Sequence, residues 1–378
     1  MTRRLLFLVT EDWYFWSHRL PQARAARDAG FEVLVATRID RHGERIAAEG
    51  FHPIALPWRR EGGLLGQLPM IAALVRLYRR ERPDIVHHVA LKPVAFGSLA
   101  ARLAGVKAVV NAITGFGFLA TSTSVRARAI RAAIGLVLPP LTRRRNARMI
   151  LQNDDDLRLA LDRRLTRPRQ AAVIRGSGVD LTHYSALPEP EGPITIAIVS
   201  RMLRIKGVDT LVDAVRLLRG QGLDVRLLLA GGPDPANPAS FDAATLRGWA
   251  AEPGVEWLGP VEDVRTVWAR AHIAVLASRG GEGVPKSLLE AAACGRAIVA
   301  TDVPGCRDVV GREGEAGRLT PPDDPAAMAE ALALLARDGD LRRRLAAGAR
   351  QRAEALFGAE AIGRETVALY DALLREIT

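Results

Sequence analysis

The chain has only two cysteines, Cys294 and Cys306, and no histidine or cysteine cluster near either. No disulfide framework and no zinc spacing can be built from them, which fits a reducing compartment. Lysine is confined to Lys92, Lys107, Lys206 and Lys286, a bias towards arginine that carries no functional information. Aromatic residues make up 5% of the chain, too few for the interleaved basic and aromatic positions of a nucleic-acid surface. The longest apolar run, residues 132–141, falls well short of the roughly 20 residues that cross a bilayer. The glycine fingerprint of dinucleotide binding is missing too: EDWYFWSHRL follows the first apolar run and SRMLRIKG follows residues 194–199. Hydride chemistry on NAD is therefore disfavoured.

What remains is a globular chain of 378 residues, 48% hydrophobic, long enough for two domains with their own cores. The opening MTRRLLFLVT runs straight into Glu11 and Asp12 and reads as a buried strand rather than a leader. Apolar runs at 5–9, 32–36, 85–88, 106–111 and 149–152 alternate with helix-length segments, the first of them 17–29 closing on Gly30. This alternation predicts an α/β fold with a doubly wound parallel sheet. The stretch 184–193, YSALPEPEGP, resists helix and strand and is expected to be a linker. Beyond it strands are predicted at 194–199, 225–230, 255–258, 273–277 and 297–300, with helices at 208–219, 242–251 and 285–294. The expected domains are 1–183, 194–360 and a C-terminal helix 361–378 that packs back on the first. Residues 1–190 hold 30 Lys and Arg against 16 Asp and Glu, whereas the remainder holds 23 against 26. The basic half predicts an anionic partner.

The richest segment is SRGGEGVPKSLLE, residues 278–290. With Pro285 at the first helical position, Glu282 lies in the loop and Glu290 about one and a half turns into the helix. The N–H groups of Lys286, Ser287 and Leu288 then form an anion site for a diphosphate. Arg201 and Lys206, in the loop after 194–199, are placed at the same sheet edge, where two cations suit a diphosphate leaving group. A capped helix with solvated glutamates is the bland reading of either segment alone. The two together point to a site.

SRxxxxKG followed by EGVPKSLLEAAACG and TDVPGCRDVV resembles the family-four retaining glycosyltransferases of GT-B fold, in which two Rossmann-like domains face across a cleft. The resemblance is close over residues 194–310. In the first half WSHRLPQARAARDAGFEVLVAT, RPDIVHHVALKP and NAITGFGF resemble the bacterial subgroup that builds O-antigen, capsule or exopolysaccharide on a polyprenyl-diphosphate carrier. It implies transfer from a nucleotide-diphosphate sugar, with a UDP-sugar as first choice, to a polyprenyl-diphosphate-linked sugar. By that resemblance Arg201 and Lys206 bind the donor diphosphate, Glu282 the sugar hydroxyls and Glu290 the ribose, with Gly283, Val284, Pro285, Lys286, Ser287 and Leu288 lining the donor. Many relatives have paired glycines where this chain has Glu11 to Trp16, and a histidine where it has Ile113, Thr114 and Gly115. That leaves His18, Arg19, His87, His88, Lys92, Thr114 and Gly115 as acceptor-side candidates. His87 and His88 alternate on a strand, so they point to opposite faces, and a lone histidine is more often structural than catalytic.

Residues 125–148 bracket an apolar centre with Arg126, Arg128 and Arg131 on one side and Arg143, Arg144, Arg145 and Arg148 on the other. Residues 58–82 repeat the composition with Leu64, Leu65, Leu68, Ile71 and Leu74 beside Arg76, Arg79 and Arg80. An interfacial segment on an anionic membrane has this pattern, and so has a core helix with solvated arginines. The acceptor tilts the expectation to a peripheral protein on the cytoplasmic face of the plasma membrane. Asp154, Asp155 and Asp156 read as a helix cap and first turn rather than a metal site, and no metal or other cofactor is expected. A nucleotide-sugar epimerase on the same architecture would need no lipid acceptor. Nucleic-acid binding is the remote alternative.

Overall fold

A computed structural model gives the fold and describes residues 2–58, 68–116, 125–312 and 314–377, without the side chains of 68, 125–127, 129, 130 and 133. The chain divides into two compact units, Met1–Gly178 with Ala359–Thr378, and Val179–Gly358.

The first unit contains β1 (Arg3–Glu11), β2 (Phe31–Arg38), β3 (His52–Ala55), β4 (Ile85–Val89), β5 (Ala108–Ala112), β6 (Ala147–Leu151) and β7 (Ala171–Val173), in the order β3-β2-β1-β4-β5-β6-β7. All neighbours are parallel. Strand side chains alternate, and both faces are covered. Leu5, Phe7 and Val9 pack with Val33, Val35 and Ile85 under the helices Leu20–Asp28 and Ala359–Ile377. Leu6 and Leu8 pack with Leu34, Ala36 and Val86 under Leu68–Glu81 and Leu91–Ala104. The second unit contains β8 (Ile194–Val199), β9 (Val225–Ala230), β10 (Val255–Gly259), β11 (Ile273–Leu276), β12 (Ala297–Thr301) and β13 (Gly317–Thr320), in the order β10-β9-β8-β11-β12-β13, again parallel.

Several expectations change. The helix predicted over 17–29 is two helices, Asp12–His18 and Leu20–Asp28, broken at Arg19. Pro21 has no N–H to donate, and its ring excludes the carbonyl four residues earlier. The strands β3, β7 and β13 were not predicted, because runs of four, three and four residues are too short to show an alternation. The Pro-rich stretch 184–193 is no free linker: the chain crosses between units at 178–179 and at 358–359. Buried Arg296 holds the stretch to the second unit, donating to the carbonyls of Leu187 and Pro188 at 2.8 and 2.7 Å. Leu187 N–H donates to the Cys294 carbonyl at 3.1 Å, and Glu189 pairs with Arg342. The C-terminal helix, expected from 361, is Ala359–Ile377 and belongs to the first unit.

The segment 58–82 also departs from its membrane reading. Leu64 and Leu65 lie outside the described residues. Met70, Leu74, Leu77 and Tyr78 are buried in the core, with Arg76, Arg79 and Arg80 exposed. The Asp154–Asp162 helix is capped by Asn153, whose side chain accepts the Asp156 N–H at 2.7 Å. Among the described residues, no cluster of ligands that could hold a metal ion and no helix long and apolar enough to cross a membrane is present.

The loop after β2 hangs on one buried carboxylate. Asp12 Oδ2 accepts the N–H groups of Asp40, Arg41 and His42 at 2.7, 2.9 and 2.8 Å, and Oδ1 accepts that of Trp13 at 2.7 Å. Burial works to raise the pKa of this group, but the donors at His42, Asp40 and Trp13 outweigh it and hold the carboxyl below its usual value. Asp12→Ala strands those donors and is expected to lower the unfolding free energy by about 1–3 kcal/mol in urea titrations near neutral pH. Because the folded pKa is the lower one, the stabilisation is complete above the ordinary value of 3.8 and is lost as pH falls through the folded one. The gap between parent and variant should therefore close in acid.

Candidate active site

In the second unit the strand order reverses between β8 and β11. Loops leaving adjacent strands at such a point diverge and open a crevice at the carboxyl edge of the sheet. Both motif segments lie there. The loop after β8 is anchored by Ser200 N–H to the Ala230 carbonyl at 3.0 Å and Met202 N–H to the Gly232 carbonyl at 3.1 Å. It closes in a short turn, Arg204–Lys206, followed by Gly207 with φ of 64°. A Cβ at Gly207 would lie 1.9 Å from the Ala277 carbonyl oxygen. Only glycine lets this turn press on the end of β11.

That contact delivers Lys206 to the loop after β11. Its Nζ donates to both Glu282 carboxylate oxygens, at 2.6 and 2.8 Å, and Ser278 Oγ donates to Oε1 at 2.7 Å. The pair is mostly shielded, with the Lys206 and Glu282 side chains 20% and 12% exposed. Ser278 is fixed in turn by Thr301, whose hydroxyl donates to its carbonyl, and Arg279 forks onto Asp209 at 2.9 and 3.1 Å. The 302–305 loop closes the arrangement from the other side: at Gly305, φ of 80°, a Cβ would sit 1.4 Å from the Gly283 carbonyl oxygen. Arg201 is half exposed and held at 3.0 Å by Asp234, from the loop after β9.

The helix after this loop is Lys286–Ala293, with Pro285 as its N-cap rather than its first residue. Leu288 N–H donates to the Pro285 carbonyl at 3.1 Å and its side chain is core, so Leu288 leaves the donor-binding set. The Val284 side chain is buried in the same core. Glu290 is 7% exposed, its Oε1 accepting from Tyr184 Oη at 3.1 Å with Lys286 Nζ 3.3 Å away. Burial pushes its pKa above the ordinary carboxylate value against the pull of Lys286 and Tyr184. Sequence reasoning missed Ser278, Asp234 and Tyr184. Ser278 stood inside the quoted motif with nothing to mark its role. Asp234 and Tyr184 lie in irregular segments without periodicity.

In the first unit the acceptor-side candidates scatter. His87 and His88 face opposite sides of β4, but both sides are covered and neither side chain reaches a surface. His87 Nδ1 meets Tyr370 Oη at 2.5 Å. His88 meets Tyr78 Oη at 3.1 Å and Asn111 Oδ1 at 2.9 Å. Burial lowers the pKa of both, of His88 to about 4, so both are neutral core residues. His18 is half buried, stacked on Tyr14 with its Nδ1 2.6 Å from Ser17 Oγ. Lys92 lies 5.1 Å from the centre of the Trp58 ring. Thr114 and Gly115 lie half buried just beyond β5. Arg19 is buried. Of the basic segment, Arg126 lies outside the described side chains, Arg131 and Arg143 are half buried, and Arg128, Arg144 and Arg145 are exposed.

Two family models match, glycosyl transferase 4-like over residues 4–139 and glycosyl transferases group 1 over residues 193–338. The N,N'-diacetylbacillosaminyl-diphospho-undecaprenol alpha-1,3-N-acetylgalactosaminyltransferase of Campylobacter jejuni is 25% identical over 99% of this chain and 100% of its own. The putative colanic acid biosynthesis glycosyltransferase WcaL of Escherichia coli is 30% identical over 54% of this chain, which spans 52% of that relative's length. Among solved structures, HepE of Anabaena in complex with UDP and glucose superposes with a TM-score of 0.78 at 18% identity, covering 98% of this chain and 100% of its own. With one model on each unit and a relative matched from end to end, the chain belongs to the group 1, family-four glycosyltransferases and has their GT-B fold.

Proposed function

We propose that the protein transfers a sugar, with retention of anomeric configuration, from a nucleotide-diphosphate donor to a polyprenyl-diphosphate-linked sugar in surface polysaccharide synthesis. The observation that carries this is Lys206 held on Glu282, which Ser278 holds in turn, at the order reversal of the second sheet, with Arg201 on the same loop. An ammonium already desolvated and oriented stabilises charge that develops on a leaving diphosphate, without reorganisation at the moment of reaction. The bond from the anomeric carbon to the diphosphate oxygen breaks on the face that the acceptor hydroxyl attacks. The hydroxyl proton passes to the departing oxygen, and the products are a nucleoside diphosphate and the extended acceptor. Glu282, oriented by Ser278, takes the sugar hydroxyls, and Glu290 takes the ribose. A UDP-sugar is the proposed donor, in keeping with HepE, which was solved with UDP. The Campylobacter relative's name specifies a diphospho-undecaprenol acceptor, which supports the same class here.

Lys206→Ala and Glu282→Ala should each lower transfer about 10²–10³-fold, corresponding to about 2.7–4 kcal/mol in the barrier, while the melting temperature stays near the parent's. Steady-state assays on purified variants read this directly, and parental turnover in either would remove the assignment. Since cationic side chains meet the diphosphate charge, activity should persist in EDTA. A complete loss restored by magnesium or manganese would show that a metal does this work instead.

We further propose that the first unit rides on the cytoplasmic face of an anionic membrane. Leu136 and Val137, 78% and 51% exposed at the end of the Val125–Val137 helix, precede exposed Arg144 and Arg145 by a few residues. Replacing both arginines with Gln should weaken binding to anionic liposomes by roughly 30-fold, at about 1 kcal/mol per cation. Co-sedimentation at parental levels would make the segment a surface helix and nothing more.

A further inference from the structure

Fourteen buried side-chain nitrogens and oxygens among the described residues lack a hydrogen-bond partner, and five of them belong to four residues of one neighbourhood in the first unit: Arg19 Nε and Nη2, Gln22 Oε1, His87 Nε2 and Ser177 Oγ. The neighbourhood is defined by contacts. Gln22 Nε2 donates to the Ser177 carbonyl at 3.2 Å, His87 Nδ1 meets Tyr370, and Arg19 lies close enough to His87 and Tyr370 to influence both electrostatically. Arg19 and Gln22, three apart at the start of one helix, share its buried face. Arg19 is 3% exposed and forms no ion pair with any described residue. A guanidinium so placed costs several kcal/mol unless something compensates it. The two vacant donors matter by their identity: Nε and Nη2 are the side-on edge with which arginine grips two oxygens of one phosphate or carboxylate. Arg19 follows the short Asp12–His18 helix that leaves the carboxyl end of β1, and the order of the first sheet reverses between β1 and β4, which is where such sheets bind ligands.

We infer that Arg19 is the anchor of a phosphate oxyanion site in the first unit, its Nε–Nη2 edge taking two oxygens and Ser177 Oγ a third, with Gln22 Oε1 able to accept from a protonated oxygen or a hydroxyl. The oxyanion site stands on the geometry. Its assignment to the acceptor's diphosphate rests on the glycosyl-transfer reading.

The probe is inorganic pyrophosphate, titrated calorimetrically into the full chain already saturated with UDP. The parent should still show a binding event. Arg19→Gln should weaken it about ten- to a hundredfold, the scale of a charge-assisted contact, and Ser177→Ala by less. Arg19→Lys keeps the charge and loses the fork, so it should not restore the parental affinity. Unchanged pyrophosphate affinity in Arg19→Gln would mean that internal water fills the edge, and would overturn the site. If that variant fails to fold, Ser177→Ala decides, because the site predicts weaker pyrophosphate binding and parental affinity contradicts it. With a prenyl-diphosphate sugar as acceptor, Arg19→Gln should raise KM for the acceptor and leave UDP affinity alone. A fall in UDP affinity at unchanged acceptor KM would overturn the acceptor as the source of the phosphate. Pyrophosphate bound through Arg19 in a chain that transfers no sugar would remove the proposed reaction and keep the site. Transfer at parental acceptor KM by Arg19→Gln would keep the proposed reaction and overturn the assignment of the site to the acceptor's diphosphate.

Discussion

A parallel sheet covered by helices on both faces leaves only the ends of its strands open, and this constraint governs the placement of every functional group in the protein. Each unit buries apolar side chains above and below its sheet, so a polar side chain in mid-strand must find partners inside. His88 does so through both ring nitrogens and His87 through Nδ1, and both are thereby spent on the core. The same constraint sends chemistry to the loops. At the β8–β11 reversal the two loops diverge, and the residues that the crevice gathers come from three segments far apart in sequence: Lys206, Ser278 with Glu282, and Gly305.

Close backbone approach sets the precision of that site. Gly207 against the Ala277 carbonyl and Gly305 against the Gly283 carbonyl bring neighbouring loops nearer than any side chain would allow. Lys206 is thus placed by a glycine one residue away, and the Glu282 loop is braced from behind by another. Glu290 is oriented differently, from the side, by Tyr184 on the stretch that Arg296 straps down. A segment composed like a linker therefore serves as a wall of the second unit.

Buried charge separates the structural arginines from the one that calls for a ligand. Arg296 gives Nη1 and Nη2 to three backbone carbonyls, those of Ala271, Leu187 and Pro188, with only Nε left over, and Arg342 pairs with Glu189. Arg19, equally enclosed, has its side-on edge vacant. The difference lies in what surrounds each: backbone carbonyls turned to the guanidinium in the first case, and the neutral His87 and Tyr370 in the second.

Much of this was legible in the sequence because it is local. Apolar runs long enough for central strands, the alternation with helices, Gly30 closing a helix and the spacing of Glu282 and Glu290 all follow from short-range periodicity and backbone preference. So does the resemblance carried by residues 194–310. The sequence alone therefore determined the α/β class and pointed to two units, without their boundary. Tertiary structure decided what depends on groups distant in the chain. Pairing Lys206 with Glu282 needs two strands to become neighbours. Holding 184–193 against the second unit needs Arg296, more than a hundred residues away from it. Burying both His87 and His88 needs helices on both faces of the sheet, and burying Arg19 near His87 and Tyr370 needs segments distant in the chain to pack together. Strand alternation says that two adjacent side chains face apart, and only packing says what each of them meets.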